Sequence, residues 1–222
     1  MTVMPQVLPA EGVCAVILAG GRGSRMGGID KGLQVFRGRS LVQHALERLR
    51  MQTLGAPAHI AINANRNQTT YALENVAVWP DTLDDFAGPL AGFQTALQQC
   101  ATHLPTTEYL LTVPCDSPLF PLDLLERMAE AMLDAHAEVA LASAPETAAN
   151  GQPQLRKQPV FCLLRTRVLA DLDNYLAAGG RKIDSWTQRL PHVVVAFDRP
   201  GDHPNAFFNA NTLAQLQQLE RE

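Results

Sequence analysis

The stretch VCAVILAGGRGSRMGGIDKG, residues 13–32, joins an apolar run to a loop of glycines and cations. The apolar run, residues 13–19, is rich in β-formers and predicts a strand that is buried on both faces. The glycines bury little surface and lose backbone entropy on ordering, so the rest of the stretch is not a core element. Glycine N–H groups can instead approach anionic oxygens, while Arg22, Arg25 and Lys31 supply positive charge. The stretch therefore predicts a phosphate-binding loop after the first strand.

The loop matches neither of two common phosphate-binding templates. The fingerprint G-x-G-x-x-G fails because Met26 stands where its third glycine is required, and the P-loop fails because Gly32 follows Lys31 instead of Ser or Thr. A glycine-rich surface turn with solvated basic residues is the alternative interpretation. The preceding strand favours a nucleotide, because ligands of open α/β sheets bind beyond the carboxyl ends of the strands.

Composition indicates a globular protein that does not bind nucleic acid broadly. The chain has 222 residues, 46% of them hydrophobic, and a formal net charge of −4. Broad nucleic-acid binding relies on a basic surface, so the charge argues against it. We expect a single domain over residues 1–222. With no membrane-length apolar run, no visible secretory signal and scattered cysteines, we expect a cytoplasmic protein that does not enter a membrane.

Strand and helix patterns alternate along the whole chain. Such alternation predicts a three-layer, Rossmann-like α/β fold with a mostly parallel sheet and helices on both faces. The polar segment 145–158 is predicted to be a surface loop, and Pro121 is predicted to open a helix. The predicted strands are 13–19, 59–63, 76–79, 108–113, 139–143, 160–164 and 192–197; the predicted helices are 41–49, 68–74, 90–100, 121–135, 167–178, 182–190 and one from Thr212.

Polar residues and glycines follow several of these strands. Asn63 ends the second predicted strand and offers both a donor and an acceptor, although an Asn-stabilised turn is an equal alternative. Asp81 follows the third strand. Gly88 and Gly92 flank the start of a helix, which indicates a close backbone approach to a ligand or tight packing. Asp116, between two prolines after the fourth strand, has the chemistry of a Mg²⁺ ligand, because Mg²⁺ uses only one or two protein carboxylates.

Together these residues favour phosphoryl chemistry. The sequence has no Ser-His-Asp order, no reactive-cysteine context and no zinc-ligand spacing. Phosphoryl transfer needs little covalent chemistry from the protein and relies on positioning and charge neutralisation.

Five segments resemble the molybdenum cofactor guanylyltransferases, which have the nucleotide-diphospho-sugar transferase fold. They are LAGGRGSRMGGIDKG, NANR at 63–66, Asp81 with GPLAG at 88–92, PCDSP at 114–118 and FFNANT at 207–212. They are spread over nearly the whole chain. The resemblance implies transfer of GMP from GTP to the terminal phosphate of molybdenum-bearing molybdopterin, with release of pyrophosphate and with Mg²⁺ as cofactor. It also implies transient contact with proteins that supply molybdopterin or mature molybdoenzymes.

The resemblance implies a set of site residues. Arg25, Lys31 and Asp116 would be catalytic, with Asp116 holding Mg²⁺. The nucleotide would also contact Leu18, Ala19, Gly20, Gly21, Asn63, Asp81, Gly88 and Gly92. The pterin side would include Arg156, Lys157, Arg181, Asn209 and Asn211, although Gln158-Pro159 replaces the His-Pro pair that the family pattern has there.

Three alternatives remain open at this point. A molybdopterin cytidylyltransferase would use CTP, although Ala19-Gly20-Gly21 favours guanine over the Ala-Ala-Gly form of those relatives. A sugar-phosphate nucleotidyltransferase would need no pterin. A non-catalytic carrier of nucleotide or pterin would not need Lys31 and Asp116 together.

Overall fold

A computed structural model describes residues 8–19, 30–82, 88–147, 151–210 and 212–221. Strands and helices alternate along the chain, as the sequence predicts. The strands are β1 Val13–Leu18, β2 Val35–Phe36, β3 Arg39–Ser40, β4 His59–Asn63, β5 Ala77–Trp79, β6 Tyr109–Pro114, β7 Val139–Thr147, β8 Pro153–Arg165 and β9 His192–Ala196. The helices are α1 Leu41–Arg50, α2 Gln68–Ala72, α3 Pro89–His103, α4 Leu124–Asp134, α5 Leu169–Ala177, α6 Ile183–Thr187 and α7 Leu213–Glu220.

Seven strands form one sheet in the order β5-β4-β1-β6-β8-β7-β9. β1 runs parallel to β4 and β6, β4 runs parallel to β5, and β7 runs parallel to β9. β8 runs antiparallel to both β6 and β7. Helices cover both faces of this sheet, so the predicted three-layer, mostly parallel α/β fold is confirmed.

β1 divides the core between the two faces of the sheet. Val13, Ala15 and Ile17 pack with residues of α1 and α4, whereas Cys14 and Val16 pack with residues of α3, α5 and α6. Because successive side chains of a strand point to opposite faces, this wholly apolar run serves two cores. Full burial of one such side chain stabilises the fold by about 1.5–3 kcal/mol. Within the described ranges, no helix has both the length and the apolar character that a membrane crossing requires.

Residues 145–147 and 151–156 are exposed, as the sequence predicts, but residues 145–147 and 153–158 belong to paired strands and not to a loop. β7 extends to Thr147 and β8 begins at Pro153, with Pro145 paired to Leu155 and Glu146 to Gln154. Main-chain hydrogen bonds hold two exposed polar strands together, and their side chains need no apolar pattern because they do not cover a core. The hairpin therefore projects from the sheet beside the carboxyl end of β9.

Helix α4 begins at Leu124 and not at Pro121 as the sequence predicts. The amide of Gln52 donates to Pro121 O (3.1 Å) and accepts from Leu125 N (2.8 Å). This side chain from the neighbouring segment satisfies the main-chain groups that a first helical turn would otherwise use. Smaller differences occur elsewhere; for example, β6 includes Pro114, where the predicted strand stops.

A short hairpin and the last helix form a third apolar cluster. β2 and β3 are joined by Arg37 and Gly38, both with positive φ, and the sequence analysis did not predict this turn. Leu216 and Leu219 of α7 pack with Phe36 of β2. The end of the chain is thereby attached to the segment that follows Lys31.

Candidate active site

Four parallel strands end side by side and form the edge at which the predicted nucleotide residues lie. Leu18, the last residue of β1, pairs with Asn63 on β4 and with Pro114 on β6. Asn63 in turn pairs with Trp79, the last residue of β5. Ala19 N donates to Asn63 O at 2.9 Å, which continues the pairing beyond the strand. The residues that follow these strands are therefore neighbours in space.

Lys31 and Asp116 form an ion pair at this edge. Lys31 Nζ donates to Asp116 Oδ2 at 3.0 Å, and the two side chains are 27% and 15% exposed. The pair is partly desolvated, so its electrostatic attraction is stronger than that of a fully exposed pair. The sequence analysis predicted both residues but did not predict that they contact each other.

Asp30 directly precedes Lys31, and the hydrogen bonds of Asp30 fix the position of Lys31. Its carboxylate accepts hydrogen bonds from Tyr71 Oη (2.5 Å), Asn67 Nδ2 (2.9 Å) and Gly32 N (3.2 Å). Burial and the hydrogen bond to Asp30 raise the pKa of Tyr71, so its hydroxyl stays protonated and continues to donate. A Cβ on Gly32 would lie 2.4 Å from the Tyr71 hydroxyl oxygen, so this packing requires glycine. The sequence analysis missed Tyr71 and Asn67.

Asn63 and Asp81 belong to one hydrogen-bond network. Asn63 is 2% exposed, and its Nδ2 donates to Asp81 Oδ1 (2.8 Å) and to Trp79 O (2.9 Å). Asn65 donates from Nδ2 to Asp81 Oδ2 and accepts from Asp81 N, both at 2.7 Å. The network aligns two strand ends, and Asn65 is a member that the predicted site residues did not include.

Gly88 and Gly92 have different structural reasons to be glycine. Gly88 has φ 66° and ψ −151° directly before Pro89, the first residue of α3, and few side chains tolerate that backbone conformation. A Cβ on Gly92 would lie 2.5 Å from Asn63 Oδ1 and 2.9 Å from Leu18 Cδ2. Gly92 therefore lets α3 pack closely against the ends of β1 and β4, which is the tight-packing alternative of the sequence analysis.

The predicted pterin-side residues lie in three separate places. Asn209 accepts a hydrogen bond from Ser117 Oγ at 2.7 Å, one residue beyond Asp116. Arg156 and Lys157 lie on the β7–β8 hairpin, where Arg156 Nε is 3.7 Å from the carboxylate of Glu146. Arg181 donates to Leu176 O (3.0 Å) and to Gly180 O (2.7 Å), so it contacts the last turn of α5 and the turn that follows the helix. Gly20, Gly21, Arg25 and Asn211 lie outside the described residues.

A cavity of about 740 Å³ lies between the β7–β8 hairpin and the segment after β9. Asn209 contributes to its lining, whereas Arg156, Lys157 and Arg181 do not. The lining residues are Ala144, Pro145, Glu146, Thr147, Pro153, Gln158, Phe197, Asp198, Arg199, Asp202, His203, Pro204, Asn205, Phe207, Phe208 and Asn209.

Asp116 is the candidate metal ligand predicted from the sequence, and within the part of the chain that the structure describes it does not belong to a larger cluster of metal-ligating side chains. There, no three His, Cys, Asp or Glu side chains converge on one point. A single carboxylate still suits Mg²⁺, which takes its other oxygens from phosphates and water. Asp116 already has the Lys31 ammonium against one carboxylate oxygen, so the position accepts positive charge. The donor set fits Mg²⁺ bound together with a phosphate ligand and does not fit a metal held by protein ligands only.

A lysine–aspartate pair and an asparagine network at one edge of a three-layer α/β sheet are typical of a nucleotidyltransferase. Residues 15–193 match the MobA-like NTP transferase domain family. The molybdenum cofactor guanylyltransferase of Albidiferax ferrireducens is 53% identical to this chain over 214 residues, covering 96% of the chain and 98% of the relative. The chain belongs to the molybdenum cofactor guanylyltransferase family of MobA-like NTP transferases, and the resemblance stated from the sequence is confirmed.

Solved structures share the fold at low sequence identity. Molybdopterin-guanine dinucleotide biosynthesis protein A from Archaeoglobus fulgidus is similar with a TM-score of 0.67 at 20% identity, covering 94% of this chain and 97% of that chain. The 4-diphosphocytidyl-2C-methyl-D-erythritol synthase of Anaerococcus prevotii reaches the same TM-score, 0.67, at 11% identity, with 96% of each chain covered. Proteins named for two different bases thus share this architecture, so the fold alone does not select the base.

Proposed function

We propose that this protein transfers GMP from GTP to the terminal phosphate of molybdenum-bearing molybdopterin, forming the guanine dinucleotide cofactor and pyrophosphate. Membership in the guanylyltransferase family supports the choice of substrates. The observation that carries the chemistry is the Lys31–Asp116 pair at the strand edge, because it places one cation and one carboxylate where a triphosphate can bind.

We assign the nucleotide to the edge formed by β1, β4 and β6. Backbone groups of Leu18, Ala19, Gly20 and Gly21 would line it, and Lys31 would contact its phosphates. Asn63 and Asp81, with the glycines Gly88 and Gly92 that admit α3, would form the rest of this site. Hydrogen bonds within the protein fix the side chains of Asn63 and Asp81, so little ordering of these two side chains is needed on binding.

We assign catalysis to Lys31, Asp116 and Arg25, with Asp116 as the residue that would hold Mg²⁺. The bound Mg²⁺ would supply charge neutralisation on the phosphates. In the reaction, a phosphate oxygen of molybdopterin forms a bond to the α-phosphorus of GTP, and the bond from that phosphorus to the bridging oxygen breaks. No general base is required, because the attacking phosphate is already an anion near neutral pH. Lys31 relieves the repulsion between the two anions, and Arg25 stabilises the leaving pyrophosphate.

We place the acceptor in the cavity between the β7–β8 hairpin and the segment after β9. Asn209 links the cavity to the residue beside Asp116 through Ser117, so an acceptor bound there would have its phosphate near the metal ligand. Asn211, Arg156, Lys157 and Arg181 stay predictions for the pterin side, and of these Arg181 has the least support because its guanidinium contacts α5.

Two further parts of the proposal concern the cellular setting. All four cysteines are free and buried, which supports a reducing compartment such as the cytoplasm. We also propose transient contact with proteins that supply molybdopterin or receive the product, since a large and labile cofactor is best passed directly between proteins.

The proposal is tested by supplying the purified protein with molybdopterin, Mg²⁺ and each of GTP, ATP, CTP and UTP in turn. We expect a dinucleotide product, identified by mass spectrometry, and pyrophosphate release with GTP only. Exclusive use of CTP would identify a cytidylyltransferase. Pyrophosphate release with a sugar 1-phosphate and no pterin would identify a sugar nucleotidyltransferase, and binding without turnover would indicate a carrier.

A further inference from the structure

Arg127 is a charged residue on the buried face of α4. Its Nη1 donates to Asp123 Oδ2 at 3.4 Å, directly before the helix, and its other polar contacts lie at the end of β9 and in the segment that follows β9. Its side chain is only 3% exposed. Nη1 donates to Asp202 Oδ1 at 2.8 Å and to Oδ2 at 3.1 Å, and Nη2 donates to Ala196 O at 2.7 Å. The guanidinium carbon also lies 4.0 Å from the ring centroid of Phe197. One side chain thus contacts the segment at three successive points.

Asp202 connects Arg127 to the turn at Arg199, which lines the cavity. Its Oδ2 accepts from Arg199 N at 2.9 Å, and its own N–H donates to Arg199 O at 3.0 Å. Burial by itself would raise the pKa of Asp202, but the hydrogen bonds from Arg127 and the Arg199 main chain lower it overall. The carboxylate therefore stays ionised and keeps the turn closed at neutral pH.

The same turn provides much of one cavity wall. Arg199, Asp202, His203 and Asn205 all line the cavity. Within the wall, Asn205 N donates to His203 Nδ1 at 3.1 Å, which fixes the ring and leaves Nε2–H as the donor of its neutral form. The wall thus offers a cation and a ring donor to an anionic, heteroatom-rich acceptor. It also carries the carboxylates of Asp198 and Asp202, and Arg127 neutralises that of Asp202.

The far end of this segment is attached beside Asp116. Ala210 N donates to Asp116 O at 2.9 Å, and Asn209 accepts from Ser117 Oγ. The segment therefore has two attachments, one to Arg127 on α4 and one to Asp116, the candidate metal ligand. Because residues of this segment line the cavity, the position of the segment between its two attachments affects the shape of the cavity.

We propose that Arg127, acting through Asp202, is a positioning residue for the acceptor: it holds the wall 198–205 so that the cavity binds the acceptor in line with Asp116. This inference rests on the proposed function and adds a residue that contacts neither substrate. It predicts that loss of Arg127 weakens binding of the acceptor and leaves binding of GTP unchanged, because Arg127 contacts none of the described residues that we assign to the nucleotide.

The test compares three variants with the wild-type protein. Arg127→Met keeps the volume of the side chain but removes its charge and donors, Arg127→Lys keeps the charge, and Asp202→Ala removes the link to the turn. Leu172→Ala on α5 is the matched control, since Leu172 is fully buried in the core on the opposite face of the sheet. The measurements are KM for molybdopterin, KM for GTP and amide hydrogen exchange of residues 198–205.

Arg127→Met and Asp202→Ala are expected to raise KM for molybdopterin at least about ten-fold, equivalent to about 1.4 kcal/mol, with KM for GTP within about two-fold of wild type. Arg127→Lys should lie between them and wild type, because one ammonium group can pair with Asp202 but cannot also reach Ala196 O in the same geometry. Exchange at 198–205 should be faster in both stronger variants and unchanged in Leu172→Ala.

Several outcomes would overturn the inference. Unchanged KM for molybdopterin in Arg127→Met, with a stability loss like that of Leu172→Ala, would show a purely structural role. A rise in Arg127→Met but not in Asp202→Ala would show an effect of charge and not of position. If Arg127→Met does not fold, Arg127→Lys decides by the same comparison of KM values. Absence of transfer by the wild-type protein would overturn the proposed function as well, whereas transfer by wild type with unaffected variants would overturn this inference alone.

Discussion

Lys31 Nζ lies 3.0 Å from Asp116 Oδ2 although 85 residues separate them in the chain. The loop after β1 and the turn after β6 each supply one member, because these two strands are neighbours in the sheet. The contact brings together the cation that we propose to bind phosphate and the carboxylate that we propose to bind Mg²⁺.

Asp116→Ala is predicted to lower kcat by at least about 10²-fold, because the proposed Mg²⁺ loses its protein ligand. Stability should change by no more than about 1 kcal/mol, since Lys31 is partly exposed and can be hydrated. Steady-state kinetics at saturating Mg²⁺ and urea unfolding provide the two measurements. The exposed Asp134→Ala on α4 serves as control and should match wild type. Wild-type kcat in Asp116→Ala would disprove the metal assignment.

Tyr71→Phe is predicted to destabilise the protein by about 1.5–3 kcal/mol, because the partly buried Asp30 carboxylate loses its hydrogen bond from the buried Tyr71 hydroxyl. KM for GTP should also rise, since Asp30 directly precedes Lys31 and fixes its position. Tyr175→Phe provides the comparison, because its hydroxyl donates at 3.2 Å to a carbonyl far from this edge. That variant should lose about 1 kcal/mol or less and keep the KM for GTP. Equal effects of the two substitutions on KM would contradict the role given to Asp30.

Gly92→Ala is predicted to cost about 1–3 kcal/mol, because the new Cβ would lie 2.5 Å from Asn63 Oδ1 and would push α3 away from the strand ends. KM for GTP should rise together with the loss of stability. In Gly12→Ala the new Cβ would meet only Pro9 Cγ, at an ordinary 3.8 Å, and we expect no such change. Thermal unfolding and GTP titration distinguish the variants, and a neutral Gly92→Ala would refute close packing at this point.

Asp202 predicts a specific component of acid sensitivity. Its pKa is lower in the folded protein than in the unfolded chain, where an aspartate has a pKa of about 3.9. The unfolded state therefore binds this proton first, so the contribution of Asp202 to stability is complete above about pH 4 and is lost as the pH falls through the folded value. Arg127→Met should lose less unfolding free energy between pH 6 and pH 3 than wild type does, as measured by urea titration. Equal losses would mean that the pair does not lower this pKa.

The sequence predicted the sheet and the strand-end residues because both depend on local pattern. The apolar run 13–19 and the turn residues after each strand are visible without knowledge of any distant contact. The prediction that Asn63, Asp81 and Asp116 share one edge follows from the rule for parallel strands, and the pairing of Leu18 with Asn63 and Pro114 agrees with it.

The contacts that the sequence could not predict are those between distant polar residues. Tyr71 lies in a weak helical pattern, and nothing in that pattern indicates a partner 41 residues earlier. Arg127 is on the buried face of α4, where a charged residue is rare unless it is paired. Its partner Asp202 is 75 residues away in an irregular segment. The β7–β8 hairpin was missed for a related reason, because its polar end is held by main-chain pairing and not by a core.

Two consecutive portions of the chain form the two halves of the sheet. β5, β4, β1 and β6 come from residues 13–114, whereas β8, β7 and β9 come from residues 139–196. The residues we assign to the nucleotide edge are almost all supplied by the first portion, and the acceptor cavity is built by the second portion and the segment after it. Substitutions in the second portion would therefore change the acceptor while the nucleotide edge stays the same. Proteins with this architecture can in this way form new products from the same nucleotide.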